Sequence, residues 1–393
     1  MNTPLWTRNF LLLCLSNLLL FCSFYALLPT LPVLVVGPLK GNVGQVGLVI
    51  GITSILAVVT RLLSGYVFDT RGRKPIVLLA LGGIALVLGG YSLVGTVALL
   101  VLCRALHGVV WGFAATGNLT MSTDVIPEAR RGEGIGYFSL SNTLAMALAP
   151  AIGLWVMARW GFRPMCLGGL FLALGSMACI ALVSYVEPPT RKKTGALKWS
   201  DFYEARVLSL SFQIFCMSFG YGGILSLIAL HFKAFGSGST GIYFTLYALT
   251  LLALRPLVGK FYDHRGPNAL MGPGLLALFA CYLLLYLAKG LPYLLVSAVL
   301  LGVGYSIIQP MVMAMALQRV EVQRRAAANS NLFTALDLGV AVGSILLGCL
   351  ADRIGLRLTF LICALSNLLP ALSFYSFDRI RARSMASTSS LIP

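Results

Sequence analysis

One carboxylate in this 393-residue chain stands deep inside an apolar run. Asp and Glu together number 12, and eleven of them fall in polar connections or at the ends of hydrophobic stretches. Asp337 is the exception: it lies seven residues past Ser330, about 10 Å along a helix from the polar flank. A carboxylate at that depth is expensive to keep, so its default reading is functional. Arg61, seven residues before Phe68, has a matching depth in an earlier run. Such an acid can take up a proton, and a cation at its level loses a partner when it does. A second set lies in "LVLCRALHGVVWGFAATGNLT", where Arg104, His107, Trp111 and Asn118 fall at i, i+3, i+7 and i+14, one helical face. The titration range of His107 suits a proton carrier. A buried neutral histidine that only holds a neighbouring group is the alternative.

Other chemistries have no visible apparatus. The nine cysteines occur singly inside apolar runs, without a CxxC pair or a histidine at ligand spacing, which supports neither a disulfide framework nor a metal site. No phosphate-binding glycine loop, zinc-protease helix or nucleophile elbow is present. The expectation is a protein that is not an enzyme and needs no cofactor. Asn17, Tyr25, Asn142, Tyr221, Tyr247, Gln309 and Asn331 are further polar side chains within apolar runs, and with Trp111 and Asn118 they are candidates for the wall of a cavity. Each could equally serve to link helices.

The elements that must position these residues are membrane helices. The chain is 58% hydrophobic and 10% charged, with a mean hydropathy of +0.89. Apolar runs are expected at about 10–30, 46–68, 76–96, 98–123, 134–157, 164–185, 205–232, 240–262, 269–289, 292–318, 330–350 and 358–377, each long enough to cross a hydrocarbon core of about 30 Å. The first run is too long for a secretory signal and lacks a small-residue cleavage site, so it reads as a retained span. With both termini on one side, 19 of the 29 Lys and Arg residues fall near that side and 7 near the other. This asymmetry makes the termini cytoplasmic and explains the net charge of +17 without invoking nucleic acid. The expected location is the inner, plasma membrane, and the expected form is a monomer surrounded by lipid.

The chain is also internally duplicated. Subtracting 194 from Arg255, Gly259, Asp263, Arg265 and Gly266 gives Arg61, Gly65, Asp69, Arg71 and Gly72. The same offset carries Arg324 and Arg325 onto Arg130 and Arg131, and Arg353, Gly355 and Arg357 onto Arg159, Gly161 and Arg163. One offset serving separated places marks a repeated six-span unit. The expected organisation is a helical bundle over 1–185, a cytoplasmic linker over 186–204, a second bundle over 205–378 and a tail over 379–393. Parallel halves of this kind place a substrate site between them near the membrane midplane.

The stretch Gly65, Asp69, Gly72, Arg73 and Lys74 resembles the loop signature of the major facilitator superfamily, and the resemblance runs over nearly the whole chain. It departs from the pattern at Thr70, with Arg71 one place later, and its second copy has Pro267 and Asn268 where basic residues would stand. The resemblance implies an all-α membrane protein of twelve spans in two pseudo-symmetric bundles. It also implies that this loop latches the halves together, with Asp69 near Ala327 to Ser330 and Asp124 paired with Arg71 or Arg73. Gly65 is expected to pack closely on a neighbouring helix. Spans 2 and 11 pack together in the family, so Arg61 and Asp337 are expected to pair. Arg104, Gly108 and Gly112 resemble a fourth-span motif in which the arginine lines the cavity and takes part in proton transfer. Ala145, Ala149, Pro150 and Gly153 resemble a degenerate antiporter motif. Together these imply a proton-coupled antiporter, driven by the proton gradient, that exports small amphipathic or drug-like molecules by alternating access. A proton-coupled importer of a sugar or other metabolite and a lipid translocator remain open.

Overall fold

A computed structural model describes residues 4–127, 130–187, 204–236, 240–265, 267–321 and 325–375. Within them the chain is helical: α1 Arg8–Val36, α2 Val43–Arg71, α3 Arg73–Tyr91, α4 Val97–Val125, α5 Arg131–Trp160 and α6 Phe162–Leu182 form the first bundle. The second comprises α7 Leu208–Ala234, α8 Thr240–Arg265, α9 Pro267–Leu287, α10 Leu291–Gln318, α11 Arg325–Ile354 and α12 Leu356–Ser373. Among the described residues eleven helices are long and apolar enough to cross a membrane, and α8 carries a shorter apolar stretch, Thr240–Arg255. Large side chains such as Leu79, Leu86, Phe171 and Leu276 stay outside the packed core, as they would on a face turned to lipid.

Local chemistry sets the helix ends. Thr7 and Thr96 accept from the backbone N–H groups of Phe10 and Leu99, while Asn42 and Gln45 form a reciprocal capping box at the start of α2. Single glycines turn α2 into α3, α5 into α6 and α11 into α12: Gly72, Gly161 and Gly355 all have φ between 85° and 91°. A side chain there would meet left-handed strain, so glycine permits the one-residue reversal. Pro29 and Pro370 fall where α1 and α12 are interrupted, each being unable to donate to the preceding turn.

The sequence repeat reappears as packing. In the first bundle α1 lies against α5 and α6, α2 against α4, and α3 against α4 and α6; the second repeats this as α7 on α11 and α12, α8 on α10, and α9 on α10 and α12. Gly108 approaches the Thr53 backbone as Gly302 approaches that of Tyr247, and both residues of the second pair are 194 beyond the first. The bundles meet along two seams, α2 with α11 and α5 with α8, which the same pseudo-symmetry exchanges.

Candidate functional site

The α2·α11 seam changes character along its length. At the end of the molecule away from Arg71, Arg73 and Lys74, Gly44 lies against Asp352 and the Cys349 backbone, Gly47 against Ser344 and Gly348, and Gly51 against Ala341 and Ile345. Small residues let the backbones touch there. Asp352 adds a cap: its carboxylate accepts from the Val43 N–H at 2.9 Å and the Gly44 N–H at 2.6 Å, so the second bundle supplies the anion for the N-terminus of α2. Farther along, Arg61 Nη1 meets Asp337 Oδ2 at 2.6 Å, with the guanidinium 5.8 Å from the Phe333 ring centre. One turn beyond, Gly65 has no atom within 4 Å of where a Cβ would stand. The α5·α8 seam is also joined toward the first end, where Gly241 rests on Ala151 and Thr245 donates to the Ala147 carbonyl at 3.0 Å. The bundles are therefore packed at the end away from the basic loop and parted where Gly65 sits. The close helix contact expected of Gly65 is not made in this conformation, because the seam has already opened at that level.

Where the seams begin to part, polar groups of both bundles converge. Tyr25 stands within hydrogen-bonding reach of Asn142 and in the electrostatic range of both Arg255 and Asp337. Arg255 donates to Thr143 Oγ1 at 3.3 Å across the α5·α8 seam. On the other side Tyr221, Tyr247 and Tyr305 form an aromatic group with ring centres 5.2 to 5.8 Å apart, and the Tyr305 hydroxyl donates to the Met217 carbonyl at 3.2 Å. The buried Oδ1 of Asn142 and Oγ of Ser218 have no hydrogen-bond partner. A buried acceptor left unpaired costs about 1–3 kcal/mol, which a ligand can relieve.

The fourth-span face lies apart from this centre, inside the first bundle. Arg104 is 1% exposed; its Nε donates to the Val49 carbonyl at 3.0 Å, and its guanidinium lies 5.8 Å from the Phe24 ring centre. His107 is fully buried, with Nδ1 at 3.1 Å from the Tyr91 hydroxyl and Nε2 unpartnered. Trp111 stacks on Phe24 at 4.1 Å. Adjacent residues of α1 thus face different groups, Phe24 toward Arg104 and Tyr25 toward Asp337. The four proton-coupling candidates divide into Arg61 with Asp337 between the bundles and Arg104 with His107 within one of them, so Arg104 does not line the interface here.

Several cavity candidates bond to neighbouring elements in this conformation. The buried Asn17 donates to Ser141 Oγ at 2.7 Å, joining α1 to α5, and the buried Asn118 donates to Ser16 Oγ at 3.2 Å, joining α4 to α1. Asn331 donates to the Glu204 carbonyl at 3.2 Å, and Gln309 is half-buried on α10. The physical reason is that a short amide between helices finds a hydroxyl or carbonyl on the neighbouring element to donate to.

In the basic loop, Asp124 is bonded by Arg73 rather than Arg71, which is exposed, and also by the Tyr185 hydroxyl. Burial, followed by the hydrogen bond to Asp124, pushes the Tyr185 phenol up, so it remains a neutral donor. Glu187 accepts from the Arg73 and Lys74 N–H groups, both at 2.8 Å, directly after the reversal at Gly72. Lys74 returns the favour, with Nζ at 2.9 and 2.8 Å from the Ala181 and Val183 carbonyls. An acid at the N-terminus of α3 and a cation at the C-terminus of α6 lock these helices to each other. The side chains of Asp69, Gly259, Asp263, Arg265 and Ala327 lie outside the described residues, as do most of the linker and the tail.

Tyr305, Asp352, Glu187 and the Arg255–Thr143 contact were not singled out from sequence. The last had a signal: the offset of 194 carries Arg61 and Asp337 onto Arg255 and Thr143.

Two six-helix bundles joined by pseudo-symmetric seams, with polar groups gathered between them, are the architecture of a membrane transporter. The Major Facilitator Superfamily profile matches residues 13–237 and 210–389, and the chain belongs to that superfamily. It is 23% identical over 337 residues to the staphylopine export protein of Staphylococcus aureus, covering 81% of this chain and 84% of that one. To the multi-drug resistance efflux pump PmrA of Streptococcus pneumoniae (strain ATCC BAA-334 / TIGR4) it is 24% identical over 279 residues, covering 68% and 70%. The fold is similar to that of the nucleoside transporter NupG, with a TM-score of 0.74 at 17% identity over 94% of this chain and 99% of that one. The protein is a multi-pass membrane transporter of small molecules and not an enzyme.

Proposed function

We propose that this transporter is a proton-coupled antiporter that exports small amphipathic molecules by rocking one bundle against the other. The observation that carries the reading is the Arg61–Asp337 ion pair, which joins α2 to α11 where the packed seam gives way to the open one. Removing the charge of one member of such a pair in a poorly hydrated setting costs about 3–5 kcal/mol. Protonation of Asp337 therefore changes the contact on which the relative tilt of the bundles depends. The basic end is the cytoplasmic one by its excess of Lys and Arg, so this conformation receives substrate from the cytoplasm. Asp352, at the far end of the same seam, is the contact that must break for release. Export is supported by the similarity to an export protein and an efflux pump. Protein, lipid and the proton gradient suffice for this cycle, with the monomer as the working unit.

Acid-loaded inverted vesicles with a pH-sensitive dye test it. Amphiphiles carried by the protein should release protons from the vesicles in wild type and fail to do so in Asp337→Asn. Full proton-driven flux in Asp337→Asn would overturn the coupling role.

A further inference from the structure

The two seams are copies, but their charges are not. Arg61 and Arg255 occupy equivalent places, and so do Asp337 and Thr143. In the α2·α11 seam the arginine meets a carboxylate at 2.6 Å; in the α5·α8 seam it meets a neutral hydroxyl at 3.3 Å. Among the described residues Thr143 Oγ1 is the one hydrogen-bond partner of Arg255, and no carboxylate lies within ion-pair distance of it. Helical depth puts Arg255, like Arg61, about 10 Å inside the hydrocarbon level. An uncompensated guanidinium there is costly unless it faces water or meets a counter-charge. Arg104, also without an acid, adds to the positive field of the first bundle.

The surroundings of Arg255 are those of a binding site rather than of a buried tether. Tyr25 and Tyr247 lie within the range of its charge, and the half-buried Tyr221 ring, packed on Tyr247 and Tyr305, adds an aromatic surface and a phenol O–H. We infer that the site between the bundles takes an organic anion, a small molecule with an aromatic or apolar body whose acidic group supplies Arg255 with the counter-charge that Thr143 lacks. This rests on the transporter reading of that site and narrows it from amphipathic molecules in general to acidic ones. The fork of the guanidinium suits the two oxygens of a carboxylate or sulfonate. On the other seam Asp337 is already neutralised by Arg61, so a cationic substrate would have to displace Arg61 first.

The field at Arg255 can be read without knowing the substrate. The protein carrying Asn142→Cys, in maltoside micelles free of anionic lipid, is treated with sulfonatoethyl or trimethylammonioethyl methanethiosulfonate, and labelling at position 142 is followed by peptide mass. Dividing the two rates, and then dividing by their ratio for free cysteine, removes reagent chemistry and thiol acidity. The sulfonate should be favoured about tenfold or more, as an uncompensated charge nearby requires. Adding Arg255→Gln or Thr143→Asp should bring the ratio to near one, the latter by restoring the acid of the other seam, whereas Arg255→Lys should keep most of it. A ratio of one or below in the parent, or a preference that survives both Arg255→Gln and Thr143→Asp, would overturn the inference. Because labelling reads the field and not flux, failed proton exchange in vesicles with a strong sulfonate preference would count against the antiport reading alone. Vigorous flux with no preference would count against the organic anion alone.

Discussion

Glu187 holds two N–H groups, those of Arg73 and Lys74, where α3 begins after the reversal at Gly72. Glu187→Ala should cost about 1–2 kcal/mol, the usual worth of a helix cap, and lower the melting temperature in detergent by a few degrees without changing substrate selectivity. Gly72→Ala should cost about 1–2 kcal/mol for a different reason, since its φ of 85° strains any Cβ; the same melting measurement checks it. At this scale the sequence was legible where chemistry has a period or a depth. Asp337 and Arg61 stood out because charge inside an apolar run is rare, and the structure pairs them at 2.6 Å. Arg104, His107, Trp111 and Asn118 shared a helical face in sequence and share burial in the structure. Which neighbours that face would meet was not legible, since periodicity gives a direction around one helix and nothing about the helix opposite. Glu187 and Asp352 were illegible for the same reason: each caps a helix more than a hundred residues away.

The seams are built from whole helices, and their strength is graded along the length. Gly47 touches the backbone of α11 at Ser344 and Gly348, so Gly47→Leu should force α2 away from α11. Transport should fall at least tenfold, and spin labels at positions 40 and 289, in the connections at the closed end, should move apart. Asp352→Ala removes the carboxylate that caps α2 and should act in the same direction with less force: about 1 kcal/mol, or a roughly fivefold shift toward the form open at that end. Labelling rates of a cysteine placed at position 43 measure this shift, and an unchanged rate would show that the cap has no part in gating. The helices themselves were legible from hydropathy, including the α8 span whose apolar stretch is shorter than the rest. Their ends drifted by several residues because polar connections here are brief, with single glycines standing where a loop was expected.

Across the whole molecule the duplication explains both what is alike and what differs. The contacts of the first bundle recur in the second under one offset, down to Gly108 on Thr53 and Gly302 on Tyr247. The repeat was legible in the sequence from its basic motifs, while the unequal charge of the two seams became visible once the seams themselves were located. Rigid bundles joined by two antiparallel seams can tilt about the level where Arg61 and Asp337 meet, closing one end as the other opens. Pulsed spin-resonance distances test this central claim, with one label pair across the basic end at positions 65 and 331 and another across the opposite end at positions 40 and 289. Lowering the pH, or substituting Asp337→Asn, should change the two distances in opposite directions, one shortening as the other lengthens. Two distances that stay fixed under both changes, or that lengthen together, would contradict a cycle built on rocking bundles and a protonated Asp337.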